Sequence, residues 1–129
     1  MKLTKNQAVV INALKEAGRP LSAYQILDID AVRGAGLKAP LTIYRALEKL
    51  IEHGLVHRIE SLNAFVVCEE EAHVEPAAFM ICRECKQTAE FPATSIRRQM
   101  AKQADALGFR IESFNLEVTG LCVDCAKAA

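Results

Sequence analysis

No stretch of the sequence approaches the roughly 20 consecutive apolar residues of a membrane span. The opening MKLTKNQAVV also lacks the basic-then-apolar plan of a signal peptide. The expectation is a cytoplasmic protein with no membrane partner. Glycine crowds no phosphate-sized loop, no nucleotide-binding fingerprint occurs, and nothing repeats beyond two short cysteine motifs. Net charge is lacking too, since 16 Lys and Arg balance 16 Asp and Glu. That balance hides an asymmetry. Residues 1–66 carry nine basic against six acidic side chains, a net of +3, and the remainder seven against ten, a net of −3. A basic first half permits nucleic-acid binding there without establishing it. At 129 residues the chain makes one ordinary folded unit or two small ones sharing support.

What is present begins with cysteine. A reducing cytoplasm disfavours disulfides, so five cysteines grouped as two pairs and a single one read as metal chemistry. Cys82 and Cys85 form one C-x-x-C and Cys122 and Cys125 another. Two thiolates three positions apart can reach one ion, and two such pairs supply the four ligands that tetrahedral zinc prefers at about 2.3 Å. A site closed in this way is structural. The 36 residues between Cys85 and Cys122 would make the ion tie the first strands of the second half to its far end. A thioredoxin-like redox pair is the rival reading for either motif alone.

The first 53 residues show three helical patterns. LTKNQAVVINALKEAG opens with Thr4 and Gln7 at capping-box spacing, repeats apolar residues at Val10, Ala13, Leu14 and Ala17, and stops at Gly18. LSAYQILDIDAVRGAG starts with Ser22 and Gln25 in the same spacing and ends among glycines. APLTIYRALEKLIEHG carries Pro40 near its first turn and Gly54 past its end, with an apolar stripe of Ile43, Leu47, Leu50 and Ile51 beside Ala46. Its other face presents Thr42, Arg45 and Lys49, with Tyr44 at the edge. The run LVHRIESLNAFVVC then gives two strands around a Ser-Leu-Asn turn, the order of a winged helix-turn-helix. In that motif the last helix enters the major groove, so Arg45 reads a guanine edge or clamps a phosphate, and Lys38, Lys49 and Arg58 position the domain. The plain alternative is a three-helix bundle with a solvated charged face.

Beyond residue 74, AAFMI and QTAEF read as short strands around the first cysteine pair. TSIRRQMAKQADALG reads as an amphipathic helix whose buried stripe is Ile96, Met100, Ala104 and Leu107. In FRIESFNLEVTGL the alternation changes phase, which a bulge near Ser113 would reconcile.

Cys68 stands apart from both pairs. If a two-residue loop at Leu62 and Asn63 closes the hairpin, His57 lies directly opposite Cys68 with Cβ atoms about 4.5–5.5 Å apart, close enough to share a metal. The bland readings are a histidine satisfied beside Leu55 and Ile59 and a cysteine acting as a small buried hydrophobe. His73 and Glu90 could complete a mixed nitrogen, sulfur and oxygen set, while Glu69, Glu70 and Glu71 read as a solvated run. An enzyme using Cys68 as nucleophile and His57 as base would want a third orienting group and an oxyanion site, neither of which the sequence displays, and no small organic substrate is implied.

GRPLSAYQIL, TIYRALEKL, GLVHRIESLNAFVVC, and MICREC followed by GLCVDC resemble the ferric uptake regulator superfamily, most closely its zinc uptake regulator branch. The resemblance covers nearly the whole chain. It implies an α+β protein: a winged helix-turn-helix DNA-binding domain over 1–68, a hinge over 69–74, and a small α/β dimerisation domain with a four-cysteine zinc site over 75–129. It also implies a zinc-dependent transcriptional repressor of metal-uptake genes, a homodimer on double-stranded operator DNA, holding two Zn(2+) per monomer. By motif, His57, Cys68, His73 and Glu90 become the regulatory ligands, Cys82, Cys85, Cys122 and Cys125 the structural ones, and Tyr24, Tyr44 and Arg45 contacts to DNA. The His-rich cluster of the iron and manganese regulators is missing before the first cysteine pair, where only His73 stands, and that favours zinc. A sensor of another divalent metal and a thiol-based redox regulator are the alternatives on the same fold.

Overall fold

Two reciprocal capping boxes fix where the first helices begin. In the computed structural model, which describes residues 2–68, 78–112 and 114–128, Thr4 Oγ1 accepts the Gln7 amide at 3.2 Å while Gln7 Oε1 accepts the Thr4 amide at 3.1 Å. Ser22 and Gln25 repeat the arrangement at 3.1 and 2.8 Å. Helix α1 (Lys5–Ala17) ends where Gly18, at φ 62°, turns its N–H back to the Leu14 carbonyl. The chain divides into two units, Met1–His73 and Val74–Ala129.

The second helical pattern is two helices rather than one, α2 (Ala23–Leu27) and α3 (Asp30–Gly34), parted at Asp28 and an extended Ile29. The reason lies in packing. Ile26 and Val32 are both fully buried, yet residues six apart on one continuous helix would face about 120° away from each other. Breaking the helix lets both reach the core. Helix α4 (Pro40–Glu52) starts on Pro40 at its first position and buries Ile43, Ala46, Leu47 and Leu50 against α1 and α2. Ile51, expected in that stripe, lies past its edge and is 37% exposed.

Strands β1 (Val56–Ile59) and β2 (Ala64–Val67) form the wing, and Leu21 adds an antiparallel bridge to Phe65, exchanging bonds of 2.8 and 3.1 Å. The register corrects the sequence reading. His57 pairs with Val66 and Ile59 with Ala64, because the connection is four residues long: a 3-10 turn over Glu60–Leu62 followed by Asn63 at φ 48°. Asparagine enters that left-handed region more easily than most residues, which is what permits the longer loop.

In the second unit a three-stranded sheet runs β4-β3-β5, with β3 (Ala78–Cys82) antiparallel to β4 (Thr88–Phe91) and parallel to β5 (Leu116–Gly120). Helix α5 (Thr94–Leu107) makes the crossover between β4 and β5, and α6 (Val123–Ala128) closes the chain. Phe79 and Ile81 are buried on one face of the sheet, whereas Met80 and its β5 partner Val118 are exposed on the other. The stripe expected to be buried on α5 is not: Ile96, Met100 and Leu107 are 37, 46 and 73% exposed, and no described residue of α5 is buried. The apolar period is present on the helix, but nothing among the described residues of one chain covers it. Phe109 and Ile111 lie outside any strand, and the bulge expected near Ser113 falls outside the described residues, as do the hinge over 69–74 and His73.

Candidate metal centres and the exposed face of α4

Each cysteine pair is held by its own backbone. Cys82 ends β3, its N–H donating to the Gln87 carbonyl at 2.9 Å, and the chain turns back through Lys86 at φ 65°, whose N–H donates to the Cys82 carbonyl at 2.9 Å. The second pair sits where β5 runs into α6, with the Cys125 amide donating to Cys122 Sγ at 3.5 Å. What unites the two is strand register. Parallel pairing sets Cys82 opposite Gly120, and the Arg83 amide donates to the Gly120 carbonyl at 2.9 Å, so Cys122 arrives two residues beyond Cys82's partner. The four sulfurs lie within 4.8 Å of one another. Cys85 Sγ and Cys122 Sγ are 3.8 Å apart, matching the edge, about 3.8 Å, of a tetrahedron of sulfurs around an ion at about 2.3 Å. The donor set and its spacing fit zinc.

The single cysteine belongs to the wing. Its amide donates to the Leu55 carbonyl at 2.9 Å, continuing the register of β1 and β2. Because the register differs from the expected one by two residues and side chains alternate with period two, His57 and Cys68 keep a common face. They stand diagonally, not directly opposite as the shorter loop would have them. Both are half-buried, and a ring nitrogen of His57 and Cys68 Sγ lie within 4.8 Å. Glu90 is half-buried on β4 of the second unit.

On α4, Leu41, Arg45, Glu48 and Lys49 are exposed on one face, while Thr42 is half-buried. Lys49 Nζ donates to Glu52 Oε2 at 3.3 Å. Tyr44 is half-buried and packs edge-on against Phe65 with ring centres 6.5 Å apart, so its ring is partly core. Tyr24 projects from α2, 62% exposed. Arg58 on the wing is braced within the loop, donating to Asn63 Oδ1 at 3.0 Å with Glu60 at 3.7 Å. That brace was missed in the sequence, where Asn63 read only as a turn residue.

The sequence profile of the Ferric uptake regulator family matches residues 1–119. The chain belongs to that family. The Zinc uptake regulation protein of Escherichia coli (strain K12) is 33% identical over 131 residues, covering 98% of this chain and 74% of that protein. A zinc uptake regulator complexed with zinc and DNA superposes with a TM-score of 0.90 at 32% identity, covering 99% of this chain and 85% of the other. The holo form of XcZur gives 0.86 at 41% identity, covering 100% and 89%.

Within this family member the cysteine cluster has uneven acidities. The Cys82 thiol is lowered to about 6, first because the backbone N–H of Cys85, and then that of Cys122, points at its sulfur. Cys125 is pushed up to about 12 by sharing hydrogen bonds with Cys122 and then Cys82. At Cys85 the Gln87 amide pulls downward, but Cys82, desolvation and Cys122 together outweigh it and the thiol stands above its ordinary value. Sulfurs this close resist joint ionisation unless a cation joins them. With the cation, each becomes a thiolate ligand.

Proposed function

We propose that this chain is a zinc-responsive transcriptional repressor that binds double-stranded operator DNA as a homodimer in the cytoplasm. The observation that carries the reading is likeness over 99% of the chain, at a TM-score of 0.90, to a regulator complexed with zinc and DNA. It is a regulator and not an enzyme, as its family is. Two donor sets of different kinds support a reading of two ions per monomer. Cys82, Cys85, Cys122 and Cys125 hold a structural zinc that staples the second domain, while His57, Cys68 and Glu90 hold a regulatory one, with His73 as the fourth ligand.

We read residues 1–68 as the DNA-binding domain, 69–74 as the hinge and 75–129 as the dimerisation domain. The ligands divide accordingly, with His57 and Cys68 on the wing and Glu90 beyond the hinge. Zinc would supply a cross-link there that narrows the hinge's freedom. What the residues do is present α4 at a fixed angle: Tyr24, Thr42, Tyr44 and Arg45 meet the DNA, and Lys49 and Arg58 take phosphates. The Arg58 brace to Asn63 supports that role by holding the guanidinium on the wing. The exposed α5 stripe of Ile96, Met100 and Leu107, with Met80 and Val118 on the sheet, supports the second domain as the dimer surface.

The test is a selection. Randomised duplexes of about 30 base pairs, about three turns of B-DNA, are offered to the full-length chain with zinc and with chelator. Recovery of one near-palindromic sequence with zinc alone is the expected result. Equal recovery under chelation, or none in either, contradicts the proposal.

A further inference from the structure

The first unit buries its large aliphatic side chains almost without remainder: Val10, Ile26, Val32, Ile43, Leu47 and Leu50 are at most 1% exposed. Among its described residues only Tyr24, Leu41 and Ile51 are large apolar side chains left open. Single exposed leucines are ordinary on protein surfaces, so exposure by itself decides nothing about Leu41. Position does. Leu41 is the second residue of α4, 57% exposed, one turn before Arg45 and on the same face. The other exposed members of that face, Arg45, Glu48, Lys49 and Glu52, are charged, with half-buried Thr42 at its edge. Helical side chains lean toward the helix N-terminus, so Leu41 covers the tip of α4, the part of a recognition helix that meets base edges.

An aliphatic side chain there can neither donate nor accept a hydrogen bond. The one apolar feature of the major groove is the C5-methyl group of thymine. We propose that Leu41 is a specificity-determining residue that reads a thymine in each operator half-site by packing on that methyl. This rests on the reading of the chain as a zinc-dependent operator-binding protein. Ile51 supplies an internal contrast, for it is open at the far end of α4 and off the Arg45 face.

Deoxyuridine removes the methyl and nothing else. With the zinc-loaded full-length chain and the duplex recovered by selection, each thymine is replaced singly by deoxyuridine, and affinity is measured for the parent, Leu41→Ala and Ile51→Ala. At one thymine per half-site the parent loses about fivefold, the scale of one methyl withdrawn from water. Leu41→Ala loses a similar factor on the unmodified duplex and is indifferent to the uridine at that position, while Ile51→Ala keeps the parent's sensitivity. Equal uridine costs for the parent and Leu41→Ala at every position overturn the proposal. So does a parent with no methyl-sensitive thymine, an outcome that does not depend on how well the variant folds. Failure to recover any zinc-dependent duplex overturns the underlying reading instead, and is recognised before any uridine is introduced.

Discussion

Four sulfurs within 4.8 Å of one another set the chemistry of the second unit by their protons. Cys85 and Cys125 both stand above their ordinary values, so they keep their protons at neutral pH until a cation displaces them. Cys82, lowered to about 6, is ionised there already. Zinc loading of the cluster should therefore release at least two protons per ion at about pH 7.5 and a further one at about pH 5, since Cys82 is protonated again below its value. Affinity falls as pH falls, and more steeply once pH passes below about 6. Calorimetry in buffers of different ionisation enthalpy counts the protons, and a release of fewer than two at the higher pH would contradict the arrangement. The same residues show how much chemistry was open to sequence reasoning. Each C-x-x-C is legible because two ligands three apart need only local backbone to meet. Their union across 36 residues is legible only as a demand for four ligands. The parallel pairing of Cys82 with Gly120 that delivers it is a tertiary fact.

Elements were most legible where their signals are local and reciprocal. Ser22 and Gln25 exchange two hydrogen bonds across one turn, and neither depends on the rest of the fold. Ser22→Ala removes one of them, leaving the Gln25 amide without its acceptor, and should cost about 1 kcal/mol of unfolding free energy in urea with an unchanged slope. A cost below a few tenths would mean the cap is idle. Where a signal depended on a turn, it failed by a definite amount. The hairpin loop was expected over Leu62 and Asn63, but the 3-10 turn at Glu60–Leu62 lengthens it and slips the register by two residues. Two is the harmless error. The face shared by His57 and Cys68 survives it, whereas a slip of one would have sent them to opposite faces. The split of α2 from α3 was not legible, because the break serves the joint burial of Ile26 and Val32, which no local pattern announces.

At the scale of the whole molecule, periodicity says which side of a helix is apolar and not what covers it. The α5 stripe reads as core in the sequence and is uncovered among the described residues, and the proposed dimer sets it against a second copy. Met100 is 46% exposed near the middle of that helix. Met100→Glu should shift sedimentation from dimer to monomer and weaken operator binding by at least about tenfold, as two linked half-sites become independent ones. An unshifted dimer would place the interface elsewhere. If, as proposed, zinc and operator act on one equilibrium of domain angles, each must strengthen the other's binding by the same factor. In the proposed switch, loss of the regulatory ion would leave only a fraction of dimers with two α4 helices at the spacing of one DNA turn, about 34–36 Å, and apparent affinity would fall by that fraction.

The most direct test is operator binding by fluorescence anisotropy across buffered free zinc, with bound metal counted per monomer, for the parent chain and Cys68→Ser. Cys68 lies on the wing, away from the cysteine cluster in the sequence, and its half-buried position tolerates serine sterically. Parent binding should rise as metal goes from about one to about two ions per monomer, the second being the exchangeable, sensing one. The variant should stay near one ion and bind weakly at every zinc level. If the parent binds the operator equally well with one ion, or the variant switches as the parent does, Cys68 is packing in the wing and the zinc switch does not run through it.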